Sequence, residues 1–364
     1  MRRKTRQILV GSVAVGGSAP VSVQSMCNTD TRDVAATIAQ ILVLEKAGCE
    51  IVRCAVPDRA AAEALGVICS GINIPLIADI HFDHRLALAS LDAGVDGLRL
   101  NPGNIGATWK VAEVVRACSE RSVPIRIGVN AGSLEKPLLE KYGHPSAEAM
   151  VESALGHIRI LEDLDFSLIK VSIKASDVRR TVEAYRLLAE QVDYPLHIGI
   201  TEAGTTWSGT VKSAIGVGSL LLDGIGDTLR VSLTGDPVEE VRVGWEILKS
   251  LDLRERGPVF ISCPTCGRCE INLIEIAEEV ERRLHDLPVK LTIAVMGCVV
   301  NGPGEAREAD LGIAGGRGQG ILFRNGETLR TVKQAELADA LVEEAWRMVA
   351  ARHAERGTPD AKSE

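Results

Sequence analysis

Leu168-Ile169-Lys170-Val171-Ser172-Ile173-Lys174, then residues 177–192, then residues 195–202, form the stretch that decides the fold. The first run is apolar and β-branched, as a buried strand should be. The middle segment puts Val178, Val182, Tyr185, Ala189 and Val192 on one helical stripe. The third run is apolar again. Strand, helix and strand in that order call for a parallel pair joined by a crossover helix. The same alternation extends outward through strand-like runs at 21–26, 51–56, 75–80, 97–101 and 124–130 upstream, and at 228–235 downstream. Eight such runs, each followed by a helix-like segment, predict a TIM-type (β/α)8 barrel over residues 1–253. A doubly wound open sheet is the competing arrangement, but no G-x-G-x-x-G follows the first strand.

A second unit opens after Gly257-Pro258. Residues 259–263 and 290–300 look like strands. Residues 270–284 look like a helix, with Leu273, Ile276, Ala277, Val280 and Leu284 on one stripe. Two short strands flank Asn325-Gly326, a hairpin signal, and a helix is expected from 334 to about 351. Residues 258–351 therefore read as a smaller α+β domain and 352–364 as a polar tail. Near the N-terminus, residues 8–17 after a basic start imitate a signal peptide, but three Gly and a Ser break the apolar run. A small hairpin around Gly11-Ser12 and a cytoplasmic protein are expected instead. No apolar run of about 18 residues is present, so no membrane span is expected.

The chain has 364 residues, with 41 basic against 49 acidic side chains and a formal charge of −8. With no basic excess, and with only four Phe, four Trp and three Tyr, neither phosphate neutralisation nor base stacking points to a nucleic-acid partner. Nine cysteines is an odd number, unlike a secreted disulfide framework. Cys27, Cys49, Cys54, Cys69 and Cys118 sit singly among apolar neighbours and read as core.

The barrel strands carry charge. Arg53, Arg99, Arg126 and Arg230 sit within the second, fourth, fifth and eighth runs, and Lys170 and Lys174 within the sixth. A buried cation needs a partner. Asp79, Asp96 and Glu202 are too few for all of them, so a doubly anionic ligand such as a diphosphate is indicated. Polar groups at the strand ends agree, among them Asp79, His81, Asn101, Asn130 and Glu202, since a barrel builds its site at that face, and Ser172 and Ser232 within the sixth and eighth runs are further substrate-binding candidates. The glycine-rich stretch 216–226, near the last two strands, is a candidate phosphate loop. His81, His84 and His197 are weaker candidates, and no H-E-x-x-H is present. In the second unit, Cys263-Pro264-Thr265-Cys266 and Cys269 form C-x-x-C-x-x-C, with Cys298 about thirty residues on. Structural zinc and a [4Fe–4S] cluster both use such spacing. A phosphosugar lyase or aldolase barrel with a zinc-binding second domain, or a metal-binding adaptor, are the rival readings.

Several longer segments are more specific. They include Ala78-Asp79-Ile80-His81-Phe82-Asp83, Arg99-Leu100-Asn101-Pro102-Gly103-Asn104-Ile105-Gly106, Arg126-Ile127-Gly128-Val129-Asn130-Ala131-Gly132-Ser133, Ile200-Thr201-Glu202-Ala203-Gly204, Cys263-Pro264-Thr265-Cys266-Gly267-Arg268 and Gly297-Cys298-Val299-Val300-Asn301-Gly302-Pro303-Gly304-Glu305-Ala306. Together they resemble the bacterial 4-hydroxy-3-methylbut-2-enyl diphosphate synthases of the non-mevalonate isoprenoid pathway, from about residue 3 to residue 335. The resemblance implies a barrel plus cluster domain and a homodimer. It implies two-electron reductive ring opening of 2-C-methyl-D-erythritol 2,4-cyclodiphosphate with loss of water. It also implies a [4Fe–4S] cluster on Cys263, Cys266, Cys298 and Glu305, fed by flavodoxin or ferredoxin. Cys269 departs from the family pattern and competes with Glu305 for the fourth position. In that chemistry Arg53, Arg99, Arg126 and Lys174 hold the diphosphate, with Lys170 and Arg230 beside them. Glu202 is the candidate acid for the departing hydroxyl.

Overall fold

In the computed structural model, eight parallel strands follow one another round a barrel: β3 (Ser22–Met26), β4 (Ile51–Ala55), β5 (Leu76–Asp79), β6 (Gly97–Arg99), β7 (Ile125–Asn130), β8 (Ile169–Lys174), β9 (His197–Ile198) and β10 (Thr228–Leu229). Each strand pairs with the next, β10 pairs with both β3 and β9, and a Val171–Leu196 bridge joins β8 to β9 and completes the ring. The structure describes residues 2–298, 304 and 308–356, with side chains to residue 352. The chain divides into two units, Met1–Arg254 and Glu255–Glu364, and the barrel is the first.

The period-2 pattern dictates the barrel core. Residues such as Val52, Cys54, Ala78, Leu98, Ile127, Val171 and Ile173 point outward and are buried against the surrounding helices. Those helices start where short polar side chains cap them: Asp33, Asp58, Asp83, Ser146, Asp177 and Asp236 each accept a backbone N–H of the first turn. Before the barrel, β1 (Ile8–Val10) and β2 (Val13–Val15) form the expected hairpin, with Gly11 at φ 54° in its turn. Its Ile8, Val10 and Val15 pack on Ile51 and Ile77 of the barrel strands.

Two expectations for this unit need correcting. The last two strands are only two residues long, so Arg230, Ser232 and Glu202 lie on the connections beyond them. Beyond β10 the Leu233 N–H donates to the Glu240 carboxylate at 3.0 Å rather than to a neighbouring strand. The glycine-rich stretch is not a phosphate loop. Gly216 and Gly218 lie inside the helix Thr206–Leu222, and a Cβ on Gly216 would stand 2.5 Å from Ile200 Cδ1. Gly216 therefore lets the helix approach the barrel.

The second unit is a five-stranded sheet in the order β11 (Val259–Ser262), β12 (Thr292–Met296), β13 (Leu311–Gly316), β14 (Gln319–Arg324), β15 (Glu327–Lys333). The first three are parallel and the last two antiparallel. Asn325 and Gly326, both at positive φ, make the hairpin turn. The helices Leu273–Leu284 and Leu337–Arg356 share one apolar cluster with the sheet, through Leu273, Ile276, Val280, Leu284, Leu337 and Leu341. The first of these helices begins three residues later than its stripe led us to expect, which leaves Cys269 in the loop before it.

Candidate functional site

Inward-facing charges gather in the lumen of the barrel. Asp79, the last residue of β5, lies 3.2 Å from Arg99 Nη1, 3.6 Å from Arg53 Nε and 3.7 Å from His81 Nε2. Burial alone would raise its carboxyl. Arg53, the His81 hydrogen bond, Arg99 and Arg126 together hold it below the ordinary carboxylate range. Arg53 also directs Nε and Nη2 at the Met26 sulfur, 3.2 and 2.9 Å away. Arg99 donates from Nη2 to Gly128 O at 3.0 Å. A Cβ on Gly128 would stand 2.6 Å from Arg99 Nε, and one on Gly199 would stand 2.8 Å from Lys174 Nζ. Glycine within β7 and just after β9 makes room for the cations.

Arg230 is held by Glu240, with Nη2–Oε2 at 3.1 Å. Glu240 comes from the helix Pro237–Ser250 and is buried, and Ser25 also donates to it at 3.4 Å. That partner went unrecognised in the sequence, because an acidic residue in a first helical turn has an ordinary reason to be there. Even so, among the described residues Arg53, Arg99, Arg126, Lys174 and Arg230 face only the carboxylates of Asp79 and Glu240. The deficit shows at Arg53, Arg126 and Lys174, whose charged forms are disfavoured. Burial, with Arg230 and Arg99 nearby, brings Arg53 down to about 10 despite Asp79. Burial, Arg53 and Arg99 lower Arg126 strongly, and burial, Arg126, Arg230 and Arg53 do the same to Lys174. A guanidinium does not give up its proton in a protein, so for arginine this measures an unmet demand for an anion.

Other candidates fall into place around this layer. Asn101 spends both amide atoms on the backbone of Gly128, accepting from its N–H at 2.8 Å and donating to its carbonyl at 3.0 Å. Asn130 and Lys174 end neighbouring strands in register. Ser172 is buried within β8, beside the Tyr185 hydroxyl. Ser232 is half-buried on the connection after β10. Lys170 is buried near the start of β8, in register with Arg126. His81 is more than half exposed at the mouth. His197 lies deep, pairs through Nδ1 with Thr228 Oγ1 at 2.7 Å, and is held neutral by burial and by the surrounding cations. Glu202 is exposed on the loop after β9 at φ 51°, a left-handed conformation rare for a non-glycine residue.

In the second unit, Cys263 follows β11 and Cys298 follows β12. Those strands run parallel with Ser262 opposite Val295, so both thiols leave the sheet at the same edge. The Gly297 N–H donates to Cys263 Sγ at 3.2 Å, and a Cβ on Gly297 would stand 2.6 Å from Cys269 Sγ. Cys269 donates to Ile271 O at 3.2 Å, and Cys266 is exposed. None of the nine cysteines, all among the described residues, is joined in a disulfide. Among the described residues no three ligand-type side chains are gathered so as to hold a metal ion. Glu305 lies outside the described residues.

A cation-lined (β/α)8 barrel followed by an α+β unit with soft sulfur donors defines the class. The barrel matches the family described as GcpE TIM-barrel domain over residues 5–245, and the second unit matches the GcpE protein C-terminal domain over 259–347. The 4-hydroxy-3-methylbut-2-en-1-yl diphosphate synthase (flavodoxin) of Geobacter sulfurreducens is 71% identical over 353 residues, covering 97% of this chain and 100% of that one. The enzymes of the same name from Symbiobacterium thermophilum and Clostridium perfringens are 62% and 59% identical, each across 94% of this chain and across 92% and 98% of their own. The chain belongs to the GcpE family of 4-hydroxy-3-methylbut-2-en-1-yl diphosphate synthases. Among the described residues no helix is long and apolar enough to cross a membrane.

Proposed function

We infer that the chain carries out the reaction of its family, converting 2-C-methyl-D-erythritol 2,4-cyclodiphosphate to (E)-4-hydroxy-3-methylbut-2-enyl diphosphate in isoprenoid precursor synthesis. The observation that carries this is the 71% identity across almost the whole of both chains. The excess of lumen cations over carboxylates supports it. In the reaction two electrons enter, the ring C–O bond to a phosphate oxygen breaks, and a hydroxyl leaves as water.

Each side chain has a role in this reading. Arg53, Arg99, Arg126 and Lys174 hold the diphosphate and stabilise the charge it gains as a leaving group. Asp79 orients Arg53, Arg99 and His81, and Glu240 orients Arg230. Asn101 and Gly128 keep the Arg99 guanidinium in place. Asn130, Ser172 and Ser232 complete the polar lining. Glu202, on a strained loop at the open end, gives a proton to the departing hydroxyl.

Cys263, Cys266, Cys298 and Glu305 would hold a [4Fe–4S] cluster, which would supply electrons singly at low potential. The donor set fits it: Cys263 and Cys298 follow two neighbouring parallel strands and leave the sheet at the same end, with a backbone N–H already directed at Cys263 Sγ. Flavodoxin, named in the relatives' own description, is the electron donor, and the working unit is a homodimer. Anaerobically purified protein should be brown, hold about four irons per chain, and turn over the cyclic diphosphate with reduced flavodoxin. Colourless protein with one zinc per chain and no turnover would point instead to a phosphosugar lyase.

A further inference from the structure

In and beneath the cation layer lies a group of buried polar atoms with no hydrogen-bond partner among the described residues: Ser22 Oγ, both amide atoms of Gln24, Arg126 Nε and Nη2, Lys170 Nζ and His197 Nε2. They belong to barrel strands that close on one another. Ser22, Thr228 and His197 share one register row, and Arg126 faces Lys170 in another. Lys170 is only 1% exposed. An unpartnered ammonium in such a place is costly, so the neutral amine is favoured in the free chain.

Every charged neighbour of Lys170 can be named. Arg126 on β7 and Arg53 on β4 oppose its charge, and Asp227, just before β10, favours it. Asp227 is already engaged by Arg2 at 2.7 Å, by Thr5 and by the Leu196 N–H. Lys174 is the next cation along the same strand, and His197 on β9 is neutral. Burial, then Arg126, outweighs Asp227 and brings the amine down to about 7. An anion seated on Arg126 and Arg53 offsets the part of this depression that their charges add to burial, and itself attracts a proton to Lys170.

We propose that Lys170 is a positioning residue that acts on the diphosphate through Arg126, staying a neutral amine in the free barrel and taking up a proton when the anion is seated above it. The lumen then carries its full positive charge only when that charge is compensated. This rests on the reading that the barrel binds the cyclic diphosphate.

Calorimetric titration tests it, with the full chain and 2-C-methyl-D-erythritol 2,4-cyclodiphosphate at pH 8, no reductant, and buffers of differing ionisation enthalpy. The cyclic diphosphate has no titrating group near that pH, so the buffer dependence counts protons taken up by the protein. Wild type should take up protons, and Lys170→Met and Lys170→Arg should each take up about one fewer. A purely structural role would move affinity or stability but not this number. Equal uptake in wild type and in either variant overturns the proposal. Absence of any binding to wild type overturns the barrel reading, and this proposal with it.

Discussion

Asp79 and Glu202 show two ways in which one carboxylate can serve a cationic site. Asp79 is buried, shared by two guanidiniums and an imidazole, and held ionised by them, so its work is orientation. Glu202 is exposed and sits at φ 51°, and among the described residues the lumen arginines pair with Asp79 and Glu240 instead. A non-glycine residue in that region costs on the order of 1–3 kcal/mol and is found where surrounding structure and function require it. Glu202→Gln keeps the size and one acceptor but removes the transferable proton. Turnover should fall by about a hundredfold or more while calorimetric affinity for the cyclic diphosphate stays within a few-fold of wild type. Near-normal turnover would remove Glu202 from the acid role.

The strands set where charge can be placed. Alternation turns Arg126, Gly128 and Asn130 inward on β7 and leaves Ile125, Ile127 and Val129 for the helices. Glycine at 128 and 199 is then as much a part of the site as the cations, because each lies against a charged side chain. The two differ in what they touch. A methyl group on Gly128 meets Arg99 Nε, the movable end of a side chain, whereas one on Gly199 stands 2.3 Å from the backbone carbonyl of Arg230. Gly128→Ala should therefore fold with a near-normal melting temperature and bind the cyclic diphosphate about tenfold to a hundredfold more weakly. Gly199→Ala should lower the melting temperature by several degrees whether or not ligand is present. Circular dichroism melts and calorimetry on the pair separate the two effects.

For the molecule as a whole, the buried Lys170 amine makes stability rise with pH. The Lys170 amine, brought from its unfolded value near 10.4 down to about 7, is depressed in the folded chain. Its stabilising contribution is fully present above the unfolded value and is lost as pH falls through the folded one. Lys170→Met removes that penalty, so the variant should gain stability relative to wild type at pH 7, on the order of a few kcal/mol. The gap should close as pH approaches about 10, and denaturant melts at pH 7, 8.5 and 10 would read it. A constant gap would mean that Lys170 does not change its charge on folding. The eight-fold alternation, the second unit with its cysteines and the family segments were legible from the residues, because periodicity and motif spacing are local properties of a chain. The six lumen cations were legible too, since a charge inside an apolar run stands out. Their pairing was not. Met26 meets Arg53 and Arg230 only because β3 is neighbour to both β4 and β10 in the closed ring. Glu240 reaches Arg230 from a helix whose pattern gives no sign of it, and Lys170 and Lys174, alike in sequence, end at different depths of one strand. Which buried charge finds a partner depends on which strands close the barrel, and ring closure joins residues some two hundred positions apart.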